Sequence, residues 1–188
     1  TTRDLADAVD IPIWVDADTG YGNAVSVHRT VRRLAAAGAA AVMIEDQAWP
    51  KRCGHMAGKS VIDFEEAIAK VEAAAAARDD HAPELLLKAR TDAATTRGLD
   101  EAIKRLQAFA DAGADVVFVE APQSRAELEA IVDEFDAPTF ANMIEGGQTP
   151  YLPASELGAI GFDIVVYPLS GVFAATRALQ ETFSALAS

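Results

Sequence analysis

Short apolar runs alternate along this chain with longer segments whose apolar positions recur every three or four residues. The runs at 11–18, 40–46, 85–92, 115–121, 138–143 and 163–169 predict strands. The segments 24–37, 63–78, 100–112, 124–134, 154–160 and 171–187 predict helices between and after them, and residues 5–9 read as the tail of an earlier helix. Helix starts are marked by Asn23, by Asp63, and by Ser124 with Glu127 three positions on, a capping box. Near-continuous apolar strands joined by amphipathic helices are parallel strands covered on both faces, so the class is α/β.

The chain also echoes itself. AAAGAAAVMIED (35–46) and ADAGADVVFVEA (110–121) each end a helix on Gly, run into a strand and place an acidic residue, Glu45 or Glu120, seven positions later. Both a (β/α)₈ TIM-type barrel and a doubly wound sheet repeat such a unit. The polar residues separate the two. Asp16, Asp18, Glu45, Asp46, Arg90, Asp92, Glu120 and Asn142 fall at the C-terminal ends of five different predicted strands, and no G-x-G-x-x-G accompanies them. Barrel strand ends converge on one mouth, where barrel active sites are built. The expectation is one barrel domain over residues 1–188, incomplete, with six of eight strands present, the N-terminal strands missing, and the whole a fragment of a longer chain.

Composition narrows the function. The 188 residues carry 29 Asp and Glu against 16 Lys and Arg, only five of them Lys, for a net charge of −13. Such a surface disfavours nucleic acid and anionic membranes as partners, and it resembles a salt-adapted one. No apolar run is long enough to cross a bilayer and the charged first ten residues do not read as a signal peptide, so a soluble cytoplasmic protein is expected. The single cysteine, Cys53, excludes an intrachain disulfide. Beside His55 it is either a catalytic nucleophile or acid, or a buried inert thiol.

Four segments carry candidate chemistry. In VDADTGYG (15–22), strand alternation would put Asp16 and Asp18 on one face, and Glu45 from the next strand would complete an oxygen-rich site for a hard cation such as Mg²⁺; D-x-D alone is also a common polar turn. Residues 47–62 form a 16-residue connection, long enough for a lid, with Lys51, Arg52, Cys53, His55 and Lys59 packed into nine positions. Positive neighbours favour thiolate, and a basic loop suits an anionic substrate. Arg90 and Asp92 in ARTDA (89–93) share a strand face, where Arg90 serves as a carboxylate clamp or as a structural ion pair with Asp92 or Glu120. Asn142 would donate to a substrate carboxylate or fix a loop. His28 and His81 read as ordinary surface residues.

KRCGH (51–55), taken with VDADTGYG, IEDQ (44–47), ARTDA, VEA (119–121) and ANMIEGGQTP (141–150), resembles the isocitrate lyase and phosphoenolpyruvate mutase superfamily, most closely its 2-methylisocitrate lyase and 2,3-dimethylmalate lyase branch. The resemblance covers essentially the whole chain with the motifs in order. It implies Asp16 as the direct Mg²⁺ ligand (Mn²⁺ being an alternative ion), Asp18 and Glu45 as partners acting largely through water, and Asp46 as a supporting carboxylate. It implies Cys53 as the catalytic acid on a gating loop shared with Lys51, Arg52, Gly54 and His55. Arg90, Glu120 and Asn142 become substrate contacts, and the assembly a homotetramer.

The implied reaction is cleavage of the C2–C3 bond of a 2-hydroxy di- or tricarboxylate to an α-keto acid and a second carboxylate. The alternatives are a P–C phosphorylmutase and an oxaloacetate decarboxylase of the same superfamily, with a catalytically idle barrel as a reading of another class. Family members carry two further N-terminal strands and a long C-terminal helix exchanged between subunits, which the sequence places as absent or cut short here. EGG (145–147) replaces the EFG of typical methylisocitrate lyases.

Overall fold

The computed structural model describes residues 1–187. Six parallel strands follow one another in space in the order they occupy in the chain. They are β1 (Trp14–Asp16), β2 (Ala41–Glu45), β3 (Leu86–Thr91), β4 (Val116–Val119), β5 (Phe140–Asn142) and β6 (Ile164–Val166). β1 to β4 form one hydrogen-bonded sheet and β5 pairs with β6; a parallel bridge between Val117 and Thr139 joins the two. Helices α1 (Thr2–Ala8), α2 (Ala24–Ala35), α3 (Phe64–His81), α4 (Ala93–Arg97), α5 (Leu99–Asp111), α6 (Arg125–Asp133), α7 (Ala154–Ile160) and α8 (Ser170–Ala187) complete the element list. This is the expected α/β barrel wall, six strands long and open between β1 and β6.

Alternation along the strands divides the apolar residues into two cores. Val42, Ile44, Leu87, Ala89, Val117 and Val119 face outward and pack with Val27, Val31, Val71, Leu106, Phe109, Leu128 and Leu157 from the helices. Met43, Val116, Phe118 and Phe140 face inward and form a smaller cluster with Ile164 and Val166. The register sets Met43 beside Lys88 and Glu45 beside Arg90, then Lys88 beside Val116 and Arg90 beside Phe118. On β2, β4 and β5 the inward file is apolar below and polar at its C-terminal end, whereas β3 carries Lys88 below Arg90.

Several details differ from the sequence pattern. The outermost strands are shorter than predicted: β1 covers only Trp14–Asp16 and β6 only Ile164–Val166. Each has a neighbour on one side alone, so fewer ladder bonds extend it. α4 was not anticipated. It is a single short turn after β3, ended where Gly98 takes φ 96° and α5 begins. Asn23 caps α2 by accepting from Ser26 N, and Ser124 caps α6 by accepting from Glu127 N. The Glu127 carboxylate reaches back to Gln123 N, one residue before the cap. Asp63 holds the cap position of α3, but its side chain makes no capping hydrogen bond.

α8 runs for 18 residues and buries none of them. Val172, Phe173, Leu179, Phe183 and Leu186 are all exposed on it. No helix among the described residues is long and apolar enough to cross a membrane.

Candidate active site

The polar ends of the inward files meet at the C-terminal rim of the sheet, and Arg90 stands at their centre. Its Nε and Nη2 donate to the two Asp92 carboxylate oxygens at 2.9 and 3.1 Å, and Nη1 lies 2.9 Å from Glu120. Nε is also 3.4 Å from Glu45. Burial works against the guanidinium charge, but Glu120 and Asp92 outweigh it and hold its pKa above the ordinary range. Burial likewise opposes the Asp92 charge; Arg90 and Lys59 overcome it and keep that carboxylate below its usual value. Both structural ion pairs that were the alternative to a substrate clamp are thus present, and they fix the guanidinium in place. Asn142 at the end of β5 directs Nδ2 toward Glu120 at 3.4 Å, while its Oδ1 is buried without a partner.

The second cluster is the carboxylate set. Asp16 ends β1, but Asp18 lies beyond the strand with φ 51°, so a left-handed turn, not strand alternation, determines where it points. The Asp16 carboxylate stabilises that turn by accepting from Asp18 N at 2.8 Å, and the Asp18 carbonyl accepts from Glu45 N at 2.9 Å. Glu45 is buried with neither carboxylate oxygen hydrogen-bonded, and burial pushes its carboxyl up to about 7. Lys51 sits among these acids, in contact with Asp18 and 3.7 Å from Glu45. Burial disfavours its charge, yet the bond to Asp18 and the nearby Glu45 raise its pKa.

A buried carboxylate with two orphaned oxygens, next to two further acids, is a site that calls for positive charge. The donors are hard oxygens of the kind Mg²⁺ takes with several waters retained. Lys51 lies between Asp18 and Glu45, and the ligand atoms of Asp16, Asp18 and Glu45 do not all lie within 4.8 Å of one another. Asp46 faces elsewhere. It accepts from Thr91 Oγ1 at 2.7 Å, Asp92 N at 2.9 Å and Arg105 Nη1 at 3.1 Å, tying β2 to β3 and α5.

The 47–62 loop is closed at its neck by an antiparallel bridge between Gln47 and Val61. The Gln47 amide brackets the Arg52 backbone, donating to its carbonyl and accepting from its N–H. Gly54 then rests on the Arg90–Glu120 pair so closely that a Cβ there would lie 2.2 Å from Glu120 Cγ and 2.5 Å from Arg90 Nη2. His55 Nε2 is 2.8 Å from Glu120, and its Nδ1 accepts from Gln148 N, which places the ring proton on Nε2. Lys59 joins Asp92 at 2.8 Å and also contacts the Gly54 carbonyl. Cys53, between these anchors, is exposed, so the buried-thiol reading fails. Arg52 is exposed as well, with its guanidinium alongside Gly58.

Gln47, Lys88 and Arg105 were not singled out from the sequence. Lys88 is the residue two before Arg90 and so faces inward, a parity that was available to read. Its Nζ lies 3.4 Å from the Phe140 ring centroid, with Phe118 and Trp14 at 5.3 and 5.5 Å, and burial pushes its pKa down to about 8. His28 and His81, read from the sequence as ordinary surface residues, meet edge-on, with Asp80 alongside.

The phosphoenolpyruvate phosphomutase family model matches residues 1–187. A 2,3-dimethylmalate lyase of Eubacterium barkeri is 44% identical over 97% of this chain and 62% of its own length. A chloroplastic carboxyvinyl-carboxyphosphonate phosphorylmutase of Arabidopsis thaliana is 48% identical over 96% of this chain and 54% of its own. A 2-methylisocitrate lyase of Bacillus subtilis is 42% identical, over 96% and 59%. The chain thus spans about six tenths of the length of these relatives. Among solved structures, a 2,3-dimethylmalate lyase superposes with TM-score 0.93 at 36% identity, over 98% of this chain and 62% of that one. A phosphonopyruvate hydrolase holding oxalate and Mg²⁺ superposes with TM-score 0.83 at 32% identity, over 98% and 64%.

Proposed function

We propose, from the premise that the chain belongs to the phosphoenolpyruvate mutase/isocitrate lyase superfamily, that it forms the catalytic barrel wall of a Mg²⁺-dependent carbon–carbon lyase acting on a 2-hydroxy di- or tricarboxylate. One observation carries this reading. The loop bearing Cys53 is seated by Gly54 and His55 directly on the Arg90–Glu120 pair, beside the acids that surround Lys51.

A Mg²⁺ or Mn²⁺ ion held by Asp16, with Asp18 and Glu45 acting through water, would supply Lewis-acid polarisation of the substrate's carboxylate and 2-oxygen. The protein's own groups account for the rest. Arg90, immobilised by Asp92 and Glu120, keeps N–H groups to spare for a substrate carboxylate, and Asn142 adds a neutral donor beside it. As the 2-hydroxyl proton passes to a carboxylate at the mouth, C2 becomes a carbonyl carbon and the C2–C3 electron pair passes to the departing fragment, which leaves as a carboxylate enolate. The fixed guanidinium stabilises the charge developing there. The Cys53 S–H then protonates that carbon, and the loop excludes water while it does so. Lys51 and Arg52 make the closed loop basic, which matches a polyanionic substrate.

The phosphorylmutase reading is favoured by the identity to the Arabidopsis relative and differs in substrate, since it requires a P–C bond. Two assays separate the readings: release of α-keto acid from dimethylmalate, methylisocitrate, isocitrate and oxaloacetate with Mg²⁺ or with EDTA, and turnover of phosphonopyruvate. Mg²⁺-dependent keto-acid release from a hydroxy acid, abolished by Cys53→Ala while oxalate still binds, is the expected result. Turnover of phosphonopyruvate alone refutes the lyase assignment, and cleavage unaffected by Cys53→Ala refutes the role of the thiol. The uncovered apolar residues of α8 suit a subunit contact, and the reading carries a homo-oligomer, a tetramer by resemblance; a monomer by light scattering counts against it.

A further inference from the structure

Two of the chain's three histidines, 53 positions apart in sequence, meet where α2 packs on α3. The rings of His28 and His81 stand 5.9 Å apart at 82°, and each offers a ligand nitrogen. With a carboxylate oxygen of Asp80 they form the one set of three His, Cys, Asp or Glu ligand atoms among the described residues that lies within 4.8 Å of one another throughout. No side-chain hydrogen bond or ion pair with another described residue engages any of the three. Arg78, two residues before Asp80, is committed elsewhere: it bonds Asp79, Asp115 and the Gly113 carbonyl. None of the three belongs to the network around Arg90 or Lys51.

We infer that His28, Asp80 and His81 form a transition-metal site on the outer helical layer, separate from the carboxylate mouth. Two neutral imidazoles and one carboxylate suit Zn²⁺, with water in the fourth position, and suit Mg²⁺ poorly. Tetrahedral ligation needs the three donor atoms roughly 3.3 Å apart, as follows from metal–ligand bonds of about 2.0–2.1 Å. Rotation of the two exposed side chains, Asp80 and His81, supplies that closure without moving a helix. Because the donors come from two helices, a bound ion clips α2 to the end of α3 and stabilises the folded chain by linkage.

The test uses Co²⁺ as a spectroscopic probe and Zn²⁺ as competitor on the full-length protein. One equivalent of Co²⁺ should give intense visible d–d bands that Zn²⁺ displaces. A hundredfold excess of Zn²⁺ over its dissociation constant should raise Tm by about 5–10 °C. His28→Ala should lose both effects, and so should His81→Gln, a milder change at an exposed helix end, while Asp16→Asn at the mouth should keep both. Bands and Tm shift that survive in either histidine variant, or that vanish in Asp16→Asn, overturn the assignment.

Discussion

Gly54→Ala concentrates the loop argument in a single methyl group. An ideal Cβ at this position meets Glu120 Cγ at 2.2 Å, Arg90 Nη2 at 2.5 Å and Glu120 Cδ at 2.6 Å. Ordinary contact begins near 3.4 Å, so something must retreat by roughly 1 Å. Glu120 is held by Arg90 and faces His55, and Arg90 is held in turn by Asp92. The loop therefore moves, carrying Cys53 with it and loosening the Lys59 contacts to Asp92 and to the Gly54 carbonyl. Displacement of a reacting group by about 1 Å costs on the order of 10²-fold in rate, or about 2.7 kcal/mol of transition-state stabilisation. The segment is local and its tip is exposed, so the unfolding midpoint should change little. Initial rates of keto-acid release measured beside thermal unfolding check both halves. A variant within about threefold of wild-type kcat/KM would refute the claim that the loop must sit on Arg90 and Glu120.

Two further perturbations probe the scaffold. Arg105 is fully buried and bonds Asp46, Glu101 and the Ile62 carbonyl, so Arg105→Ala strands a buried carboxylate and should lower Tm by about 10 °C; a fall under about 3 °C would contradict this. Lys88 has a folded pKa of about 8 against an ordinary 10.5, so between those values the folded chain binds fewer protons than the unfolded one and stability rises with pH. Below about pH 8 the buried charge costs at most about 3 kcal/mol. Lys88→Met should therefore out-stabilise wild type at pH 7 and lose that lead by pH 10, whereas a lead that grows with pH would sink the reasoning.

Much of the site was legible because a parallel strand has a period of two. Asp16, Glu45, Arg90, Glu120 and Asn142 all fall on the inward parity at a strand end, and the structure brings them to one rim. Asp18 reaches Lys51 through a left-handed backbone where a continued strand was expected. What escaped the sequence depends on long-range packing. Arg105 carries no local signal of its burial, which depends on Asp46 lying beneath it. The meeting of His28 with His81 is set by the approach of α2 to α3, which no local pattern encodes.

The central claim is that the acids around Lys51 hold a divalent cation beneath the thiol-bearing loop. Mn²⁺, which favours carboxylate and water ligands, reports on it directly through loss of the free-ion EPR signal on titration. Wild type and His28→Ala should bind one ion at the mouth with equal affinity, and Asp16→Asn should bind it at least about tenfold more weakly, a loss of about 1.4 kcal/mol. Undiminished binding in Asp16→Asn would contradict the account.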